Sequence, residues 1–265
     1  MTRDFHICTI SNNVAQYTAM KRSFIAAGFD DARCRFTLFD NTRGNVHEPY
    51  EAFNRIKTET QERYLIFCHH DVLMSQGQGY EDLVRVLDEL SAMDPRWAVV
   101  GNVGYNAHGE LVGRLTDPWP TPLWKGPLPE PVCTLDENFL LINSSANIQL
   151  SPGLSGFHFY GPDLCLNALQ RGYQCYVVDF RMEHLSKGNI DDPAFWEIKE
   201  RFERHWQRYF PLVLFTTTTT QRMLLTKFAW LRPLCRLPFI QSRLHRPRPR
   251  NLAHRFGFTP RPMRR

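Results

Sequence analysis

The chain has 265 residues, 43% of them apolar and 22% charged, which is the composition of an ordinary globular protein. This length suits one α/β domain with an appendage. No segment reaches the roughly 18–20 consecutive apolar residues that a membrane-spanning helix needs. The seven cysteines are scattered and form no CxxC pair. We therefore expect free thiols in a reducing compartment, without a disulfide framework or a structural zinc site.

Charge is distributed unevenly along the chain. Residues 221–265 hold 12 of the 32 Lys and Arg residues and no acidic residue, so the remainder carries a net charge of −7. A basic tail can contact nucleic acid, an anionic membrane or an acidic partner. The acidic body argues against nucleic acid as the main substrate, and we expect no nucleic-acid partner. Because the first residues lead into an apolar segment without the apolar core of a secretory signal, we expect a cytoplasmic protein. The tail would attach it peripherally to the inner face of the cell membrane.

The first 100 residues alternate between short apolar runs and helical patterns. We predict strands at residues 5–10, 34–39, 64–68 and 97–100, and helices at residues 14–27, 50–63 and 80–90. This alternation predicts a mostly parallel mixed sheet flanked by helices. Polar residues follow the strands at their C-terminal ends, where open α/β sheets bind ligands. The sequence contains neither a GxGxxG fingerprint nor a Walker A motif.

The second half of the chain is less regular. We predict a strand at residues 133–142, a helix at 164–171, a strand at 173–180, a helix at 194–209 and an amphipathic helix at 223–231. The Arg- and Pro-rich tail from His245 onward predicts disorder. We therefore divide the chain into a domain at residues 1–210 and a basic extension at residues 211–265.

The sharpest local feature is His69-His70-Asp71, which directly follows an apolar strand. A carboxylate at this edge can hold Mg²⁺ or Mn²⁺, and such a cation can bridge the oxygens of a diphosphate. His184 follows a later strand and offers an imidazole ligand, while the short segment 186–188 suits a phosphate contact. The plainer alternatives are an Asp that caps a strand end and a structural His.

Asp163 lies where a helix is predicted to begin, and two interpretations of it stay open. A carboxylate there could act as general base on an attacking hydroxyl, with His158 as the alternative base. It could equally stabilise the first turn of the helix. Two dipeptides, Ser11-Asn12 and Asp40-Asn41, follow the first two strands and could bind a nucleobase and ribose, although turn formation explains them equally well.

Taken in order, these segments resemble the family-2 glycosyltransferases with the GT-A fold, and most of all a bacterial glycosyltransferase-like branch. The resemblance covers about residues 5–210 and rests on the order and spacing of seven motifs: CTISN at 8–12, FDN at 39–41, YEAFN at 50–54, FCHHDV at 67–72, VCTLDE at 132–137, GFHFYGPDLC at 156–165 and EHLSKG at 183–188.

The resemblance implies an α/β GT-A fold and a glycosyltransferase that depends on Mn²⁺ or Mg²⁺. The implied reaction is an inverting transfer from a nucleotide-sugar donor to a hydroxyl of a glycan or lipid-linked glycan, in bacterial surface polysaccharide or glycoconjugate synthesis. Asp71 matches the last acid of the family's DxD motif, and His184 matches its later metal-site histidine. Two departures stand out: His69 replaces the first acid of that motif, and Gly161 stands where many relatives carry an acid.

These considerations give a complete set of candidate site residues. The predicted metal ligands are Asp71 and His184, and the predicted catalytic residues are Asp163 and His158. The predicted donor site comprises Thr9, Ser11, Asn12, Asp40, Asn41, Asn54, His70 and Asp71. The predicted acceptor site comprises Asp136, Glu137 and Tyr160, beside the loop at 117–131. The alternative function is a degenerate member that binds a nucleotide sugar or glycan without turnover.

Overall fold

The computed structural model describes residues 3–118, 121–186, 193–218, 222–235 and 237. Over these residues the helices are α1 (Val14–Ala26), α2 (Pro49–Glu59), α3 (Tyr80–Met93), α4 (Tyr160–Gln170), α5 (Pro193–Trp206) and α6 (Arg232–Cys235). The strands are β1 (Phe5–Ser11), β2 (Cys34–Asp40), β3 (Tyr64–Cys68), β4 (Val72–Leu73), β5 (Trp97–Gly101), β6 (Val103–Tyr105), β7 (Leu111–Thr116), β8 (Leu123–Lys125), β9 (Glu130–Val132), β10 (Thr134–Leu135), β11 (Phe139–Asn143), β12 (Gln174–Val177), β13 (Met182–His184), β14 (Val213–Phe215) and β15 (Met223–Leu225). Short 3-10 helices cover Gln207–Tyr209 and Ala229–Leu231.

The main sheet has the strand order β2-β1-β3-β11-β5-β12-β9. Strand β1 pairs in parallel with both β2 and β3, while β11 is inserted antiparallel between β3 and β5. The predicted mixed sheet flanked by helices is therefore confirmed. Because Ser11 pairs with Asp40 at the ends of β1 and β2, the polar residues after the first strands lie at one edge of the sheet.

Strand β3 is buried on both faces, which explains its uninterrupted apolar sequence. Its residues alternate between two cores, since successive side chains of a strand point to opposite faces. Leu65 and Phe67 join a core built from α2, α4 and α5. Tyr64, Ile66 and Cys68 join a second core built from α1 and α3. The strand thus packs between two layers of helices, which fix the position of its C-terminal end.

A smaller sheet, β10-β6-β7-β13-β4, lies beyond the end of β3. Strand β13 pairs with β4 through His184 and Val72, and with β7 through Glu183 and Thr116. The residues next to these pairs are Asp71 and Asp117. The register of two strand pairs therefore brings both carboxylates toward His184.

The run at residues 133–142 forms two strands instead of the single predicted strand. Asp136 Oδ1 accepts a hydrogen bond from the backbone N–H of Asn138 at 3.0 Å, and this turn separates β10 from β11. The interruption leaves Asp136 and Glu137 outside the strand ladder, facing the end of β3.

Part of the predicted extension packs into the body of the protein. Phe215 on β14 and Met223 on β15 pair with each other and are 3% and 2% exposed within the core of α2, α4 and α5. Residues 223–231 are therefore a strand and a 3-10 turn, and the prediction of an amphipathic helix there is wrong, because hairpin pairing with β14 outweighs the local pattern. Thr134 also donates a hydrogen bond to the carbonyl of Thr216 at 2.9 Å.

The predicted disordered tail lies outside the described residues. Across the described chain, every helix falls short of the length and hydropathy that a membrane span requires.

Candidate active site

A cavity of about 590 Å³ opens at the C-terminal ends of β1 and β3. Its lining contains four carboxylates and four imidazoles: Asp71, Asp117, Asp136, Glu137, His69, His70, His158 and His184. Among the described residues that line the cavity there is no Lys or Arg. The described part of the lining is therefore rich in groups that bind cations.

Three of these side chains converge on one point. His69, Asp71 and His184 each offer a ligand atom, and these atoms all lie within 4.8 Å of one another. His69 Nδ1 is 3.9 Å and His184 Nε2 is 3.5 Å from Asp71 Oδ1. Two imidazole nitrogens and a carboxylate form a donor set suited to Mn²⁺ and other first-row divalent cations.

Hydrogen bonds behind the imidazoles fix their orientation. The hydroxyl of Tyr160 donates to the carbonyl of Glu137 at 3.3 Å and lies 2.9 Å from His69 Nε2, so it accepts from the Nε2–H. His184 Nδ1 lies 3.2 Å from Asp117 Oδ1 and donates to it. Both arrangements leave the other ring nitrogen facing Asp71, as in carboxylate–histidine–metal arrangements. The residues present therefore fit a divalent cation.

The titration behaviour of the cluster follows from burial and mutual charge. Burial alone would raise the pKa of Asp71, but the hydrogen bond from His184 and the charges of both imidazoles hold it below its usual range. Burial alone would lower the pKa of His184, but hydrogen bonds to Asp117 and Asp71 raise it to about 10. Burial lowers the pKa of His69 to about 4. One positive charge among carboxylates is thus already favoured here, and a bound cation would replace the His184 proton.

The predicted donor residues divide into two groups. Asn12, Asn41, His70 and Asp71 line the cavity. Asn41 also holds its own loop, because Oδ1 accepts from the backbone N–H groups of Val46 and His47 and Nδ2 donates to the carbonyl of His47. Asn41 can therefore present a preformed loop edge to a ligand.

The remaining predicted donor residues lie away from the cavity lining. Thr9 is buried 3.5 Å from Cys68 Sγ, and Ser11 is bonded within its own turn to Asn13. Asp40 is exposed and accepts from the N–H of Thr42. Asn54 exchanges two hydrogen bonds with the backbone of Leu150. Their observed contacts are structural.

Asp163 lies in the first turn of α4, is fully buried and is absent from the cavity lining. Oδ1 accepts from Trp206 Nε1 at 2.7 Å, and Oδ2 accepts from the N–H of Ser151 at 2.7 Å and from Asn167 at 3.2 Å. Burial raises its pKa to about 6. These contacts tie α4 to α5 and to the loop before α4, and they engage both carboxylate oxygens with protein groups.

The other predicted catalytic and acceptor residues do reach the cavity. His158, Asp136, Glu137 and Tyr160 all line it. Burial, followed by the charge of Asp136, raises the pKa of Glu137 to about 8. Glu137 is thus a buried carboxyl with a strongly perturbed pKa inside the cavity.

The sequence analysis did not predict two residues of the cluster: His69 as a ligand and Asp117 as the hydrogen-bond partner of His184. His69 has a signal in the sequence, since it occupies the first position of the H-x-D triplet that follows β3. Asp117 has none, because it reaches His184 only through the pairing of β7 with β13. Thr218, from the predicted extension, also lines the cavity. Lys187 and Gly188 of the predicted phosphate-contact segment lie outside the described residues.

Comparison with solved structures defines the fold. Residues 1–349 of S. aureus TarS, in complex with UDP-GlcNAc, align with 77% of this chain and 70% of that chain, at a TM-score of 0.50 and 9% identity. The mannosyltransferase PcManGT from Pyrobaculum calidifontis, in complex with GDP-Man and Mn²⁺, aligns with 78% of this chain at a TM-score of 0.46 and 9% identity, and 63% of its own length is covered. The likeness to TarS and the mixed sheet confirm that the chain has the GT-A fold.

Comparison of sequences defines the family. No family model matches the chain. The chain belongs to the family of a Fuscovulum blasticum protein named "ATP synthase subunits region ORF 6", to which it is 30% identical over 214 residues, covering 78% of this chain and 85% of the relative. That name states no activity.

Proposed function

We propose that this protein is a metal-dependent glycosyltransferase of the family-2 type, which moves a sugar from a nucleotide-sugar donor to a hydroxyl of an acceptor. The observation that carries the proposal is the convergence of His69, Asp71 and His184 within 4.8 Å at the end of β3. TarS, which shares the fold, is described in complex with UDP-GlcNAc. A donor of that class would bring its diphosphate to the same edge of the sheet.

The charge of the described cavity lining favours a bound cation. Four carboxyl groups line it, and its described part has no Lys or Arg, so these carboxyl groups would repel a diphosphate. A bound Mn²⁺ or Mg²⁺ would offset this repulsion and stabilise the charge of the leaving group. His69, Asp71 and His184 would hold the cation, while Tyr160 and Asp117 fix the two imidazoles.

The remaining cavity residues divide between donor and acceptor. Asn12, Asn41 and His70 lie beside the ends of β1 and β2 and would contact the nucleoside. His158 and Asp136 also line the cavity and would contact the acceptor. We propose a glycan or lipid-linked glycan of bacterial surface polysaccharide synthesis as acceptor, and an inverting reaction, which requires a carboxylate base on the acceptor side.

The test is a thermal-shift screen of UDP-, GDP-, dTDP- and CMP-sugars with and without Mn²⁺, followed by measurement of nucleotide release. We expect one nucleotide class to raise the unfolding temperature only when Mn²⁺ is present, and the same donor to be turned over. Asp71→Asn should abolish both effects, whereas Asp88→Asn, an exposed carboxylate on α3, should change neither. No shift from any donor would refute the proposal.

A second candidate is a protein that binds a nucleotide sugar without turnover. It is favoured by the burial of Asp163, whose two oxygens are both engaged by protein groups. Metal-dependent binding of a donor, with no nucleotide release across a panel of glycan and lipid-linked acceptors, would favour this candidate over the enzyme.

We further propose that the C-terminal region docks the protein on an anionic membrane. Phe228 and Trp230 lie next to each other with ring centroids 6.4 Å apart, and they are 41% and 69% exposed. Lys227 lies 5.5 Å from the Phe228 ring, and residues 221–265 hold 12 Lys and Arg without an acid. Exposed aromatic rings beside basic residues suit the interface of an anionic bilayer, where each charge contributes about 1 kcal/mol near the surface.

The membrane proposal is tested by sedimentation with phosphatidylglycerol vesicles at low salt. We expect binding that weakens as salt is added, and that falls severalfold in Trp230→Ser. Trp196→Ser is the matched control, because Trp196 is 59% exposed but belongs to α5 and not to the basic segment 221–265. A protein that stays in the supernatant at low salt would refute this proposal and leave the proposed enzyme activity untouched.

A further inference from the structure

We propose that Glu137 is the general base that takes the proton from the acceptor hydroxyl. The inference rests on the proposed glycosyl transfer and assigns the catalytic carboxylate, which the burial of Asp163 leaves open. Glu137 lines the cavity at the turn between β10 and β11, directly after Asp136, which also lines it.

The position of the Glu137 side chain is built into the start of α4. Its Oε1 accepts a hydrogen bond from the N–H of Gly161 at 3.3 Å, and the N–H groups of Tyr160 and Phe159 also point at the carboxyl. A Cβ at position 161 would stand 3.0 Å from Glu137 Cγ and 2.7 Å from the carbonyl of Leu135. Glycine at 161 therefore provides the space that the Glu137 side chain fills.

The backbone before α4 is strained in a way that serves this arrangement. Phe159 has a φ of 68°, in the left-handed region that a bulky residue rarely adopts, and its side chain is fully buried. Such strain persists only where the surrounding structure enforces it, and it is concentrated at functional sites. Here it turns the first amides of α4 toward the carboxyl.

Burial gives Glu137 the proton affinity of a base that works near neutral pH. Burial raises its pKa to about 8, with a further contribution from the Asp136 carboxylate, while the amides of residues 159–161 oppose the rise. The other titratable groups that face it are the phenols of Tyr160 on α4 and Tyr50 on α2. A carboxyl with this pKa is a far stronger base than an exposed one.

The step is balanced in atoms and charge. As the acceptor oxygen bonds to the anomeric carbon, its proton passes to the Glu137 carboxylate. The bond from the anomeric carbon to the diphosphate oxygen breaks, and its electron pair leaves with the nucleoside diphosphate. Glu137 ends protonated and returns the proton to solvent before the next turnover.

The test compares Glu137→Gln with Glu89→Gln, a change on the exposed surface of α3. Both proteins are assayed with Mn²⁺ and the UDP-, GDP-, dTDP- and CMP-sugar panel, for donor binding by calorimetry and for nucleotide release from about pH 6 to about pH 9. Gln resembles the protonated carboxyl and can still accept from Gly161. We expect E137Q to bind donor within about threefold of wild type and to lose at least about 100-fold in turnover, together with the rising limb of the pH profile near 8.

A second variant controls for loss of folding. It also distinguishes a catalytic role of Glu137 from a role in positioning other groups. Glu137→Ala should regain part of its turnover when formate is added, because a small carboxylate can occupy the vacated space. Turnover of E137Q equal to that of E89Q would overturn the inference and leave the proposed function intact. A parallel loss of donor affinity in E137Q, without formate rescue of E137A, would also overturn it. Absence of donor binding and turnover in the wild type would overturn the proposed function, and the assignment of Glu137 with it.

Discussion

At the scale of single residues, His69 shows how one imidazole can stand where an acid is expected. Its Nδ1 faces Asp71 because Nε2 is taken up by the hydroxyl of Tyr160. That hydroxyl is itself anchored on the carbonyl of Glu137. A chain of two hydrogen bonds therefore selects the tautomer that offers a lone pair to a cation.

Tyr160→Phe tests this chain directly. The substitution removes one hydroxyl and keeps the ring, which packs edge-on against Phe67 with centroids 5.9 Å apart. We expect Mn²⁺ to bind about 10-fold more weakly, since loss of such a support costs 10- to 100-fold in metal affinity. Calorimetric titration checks this, with the exposed Tyr209→Phe as control. An unchanged affinity would show that Tyr160 does not orient His69.

The burial of His6 leads us to expect a loss of stability in acid. This effect is independent of the His69, Asp71 and His184 cluster. It is fully buried between the hydroxyls of Thr60 and Thr37, each 2.8 Å from a ring nitrogen, and burial lowers its pKa from 6.5 to about 4. Between these two values the unfolded chain binds a proton that the folded chain does not, so stability falls as the pH falls.

The size of the effect follows from the same pKa shift. From about pH 7 to about pH 5 we expect the free energy of unfolding to drop by about 2 kcal/mol through His6 alone. Denaturant unfolding of wild type and His6→Asn at both pH values measures it. An equal pH dependence in the two proteins would contradict the assignment.

At the scale of elements, the hairpin of β14 and β15 shows that part of the predicted C-terminal extension belongs to the folded body. The sequence predicts a boundary at residue 210, but Phe215 and Met223 pack into the same core as α4 and α5. Thr218, just after β14, lines the cavity. The hairpin is thus a structural part of the body that contains the cavity, and most of the basic residues of segment 221–265 follow it in the sequence.

A pair of phenylalanine substitutions separates the two parts. Phe215→Ala should lower the free energy of unfolding by about 3–5 kcal/mol, because the side chain is 3% exposed and its loss leaves a cavity. Phe228→Ala should change it by less than about 1 kcal/mol, because that ring is 41% exposed. Denaturant unfolding distinguishes them, and equal effects would show that the hairpin does not pack as described.

Strand ends, strand pairing and helix packing explain which site residues can be predicted from the sequence. Asp71 follows an apolar strand, so its place at the sheet edge can be predicted from a local pattern. Asp117 cannot, because it meets His184 through strand pairing between segments that lie far apart in sequence. Asp163 shows the opposite case: a helix-start acid is visible in the sequence, but its burial against Trp206 is set by tertiary packing.

At the scale of the whole molecule, charge separates two tasks. The cavity gathers carboxylates and imidazoles, while the last 45 residues carry 12 Lys and Arg residues and no acid. The charge distribution along the sequence predicts the basic end, and the alternation of strands and helices predicts the α/β class. Neither predicts that Glu137 lines the cavity while Asp163 is buried outside its lining, because both placements depend on tertiary packing. The cavity is thus rich in groups that can bind a cation, and the chain ends in a basic segment.

Electron paramagnetic resonance of Mn²⁺ tests whether a divalent cation at His69, Asp71 and His184 holds the diphosphate of the donor. Titration of the protein together with UDP, GDP, dTDP or CMP should remove the signal of free Mn²⁺ for one nucleotide. In Asp71→Asn the signal should persist. A free-Mn²⁺ signal that the wild-type protein leaves unchanged with every nucleotide would contradict the proposed cation site.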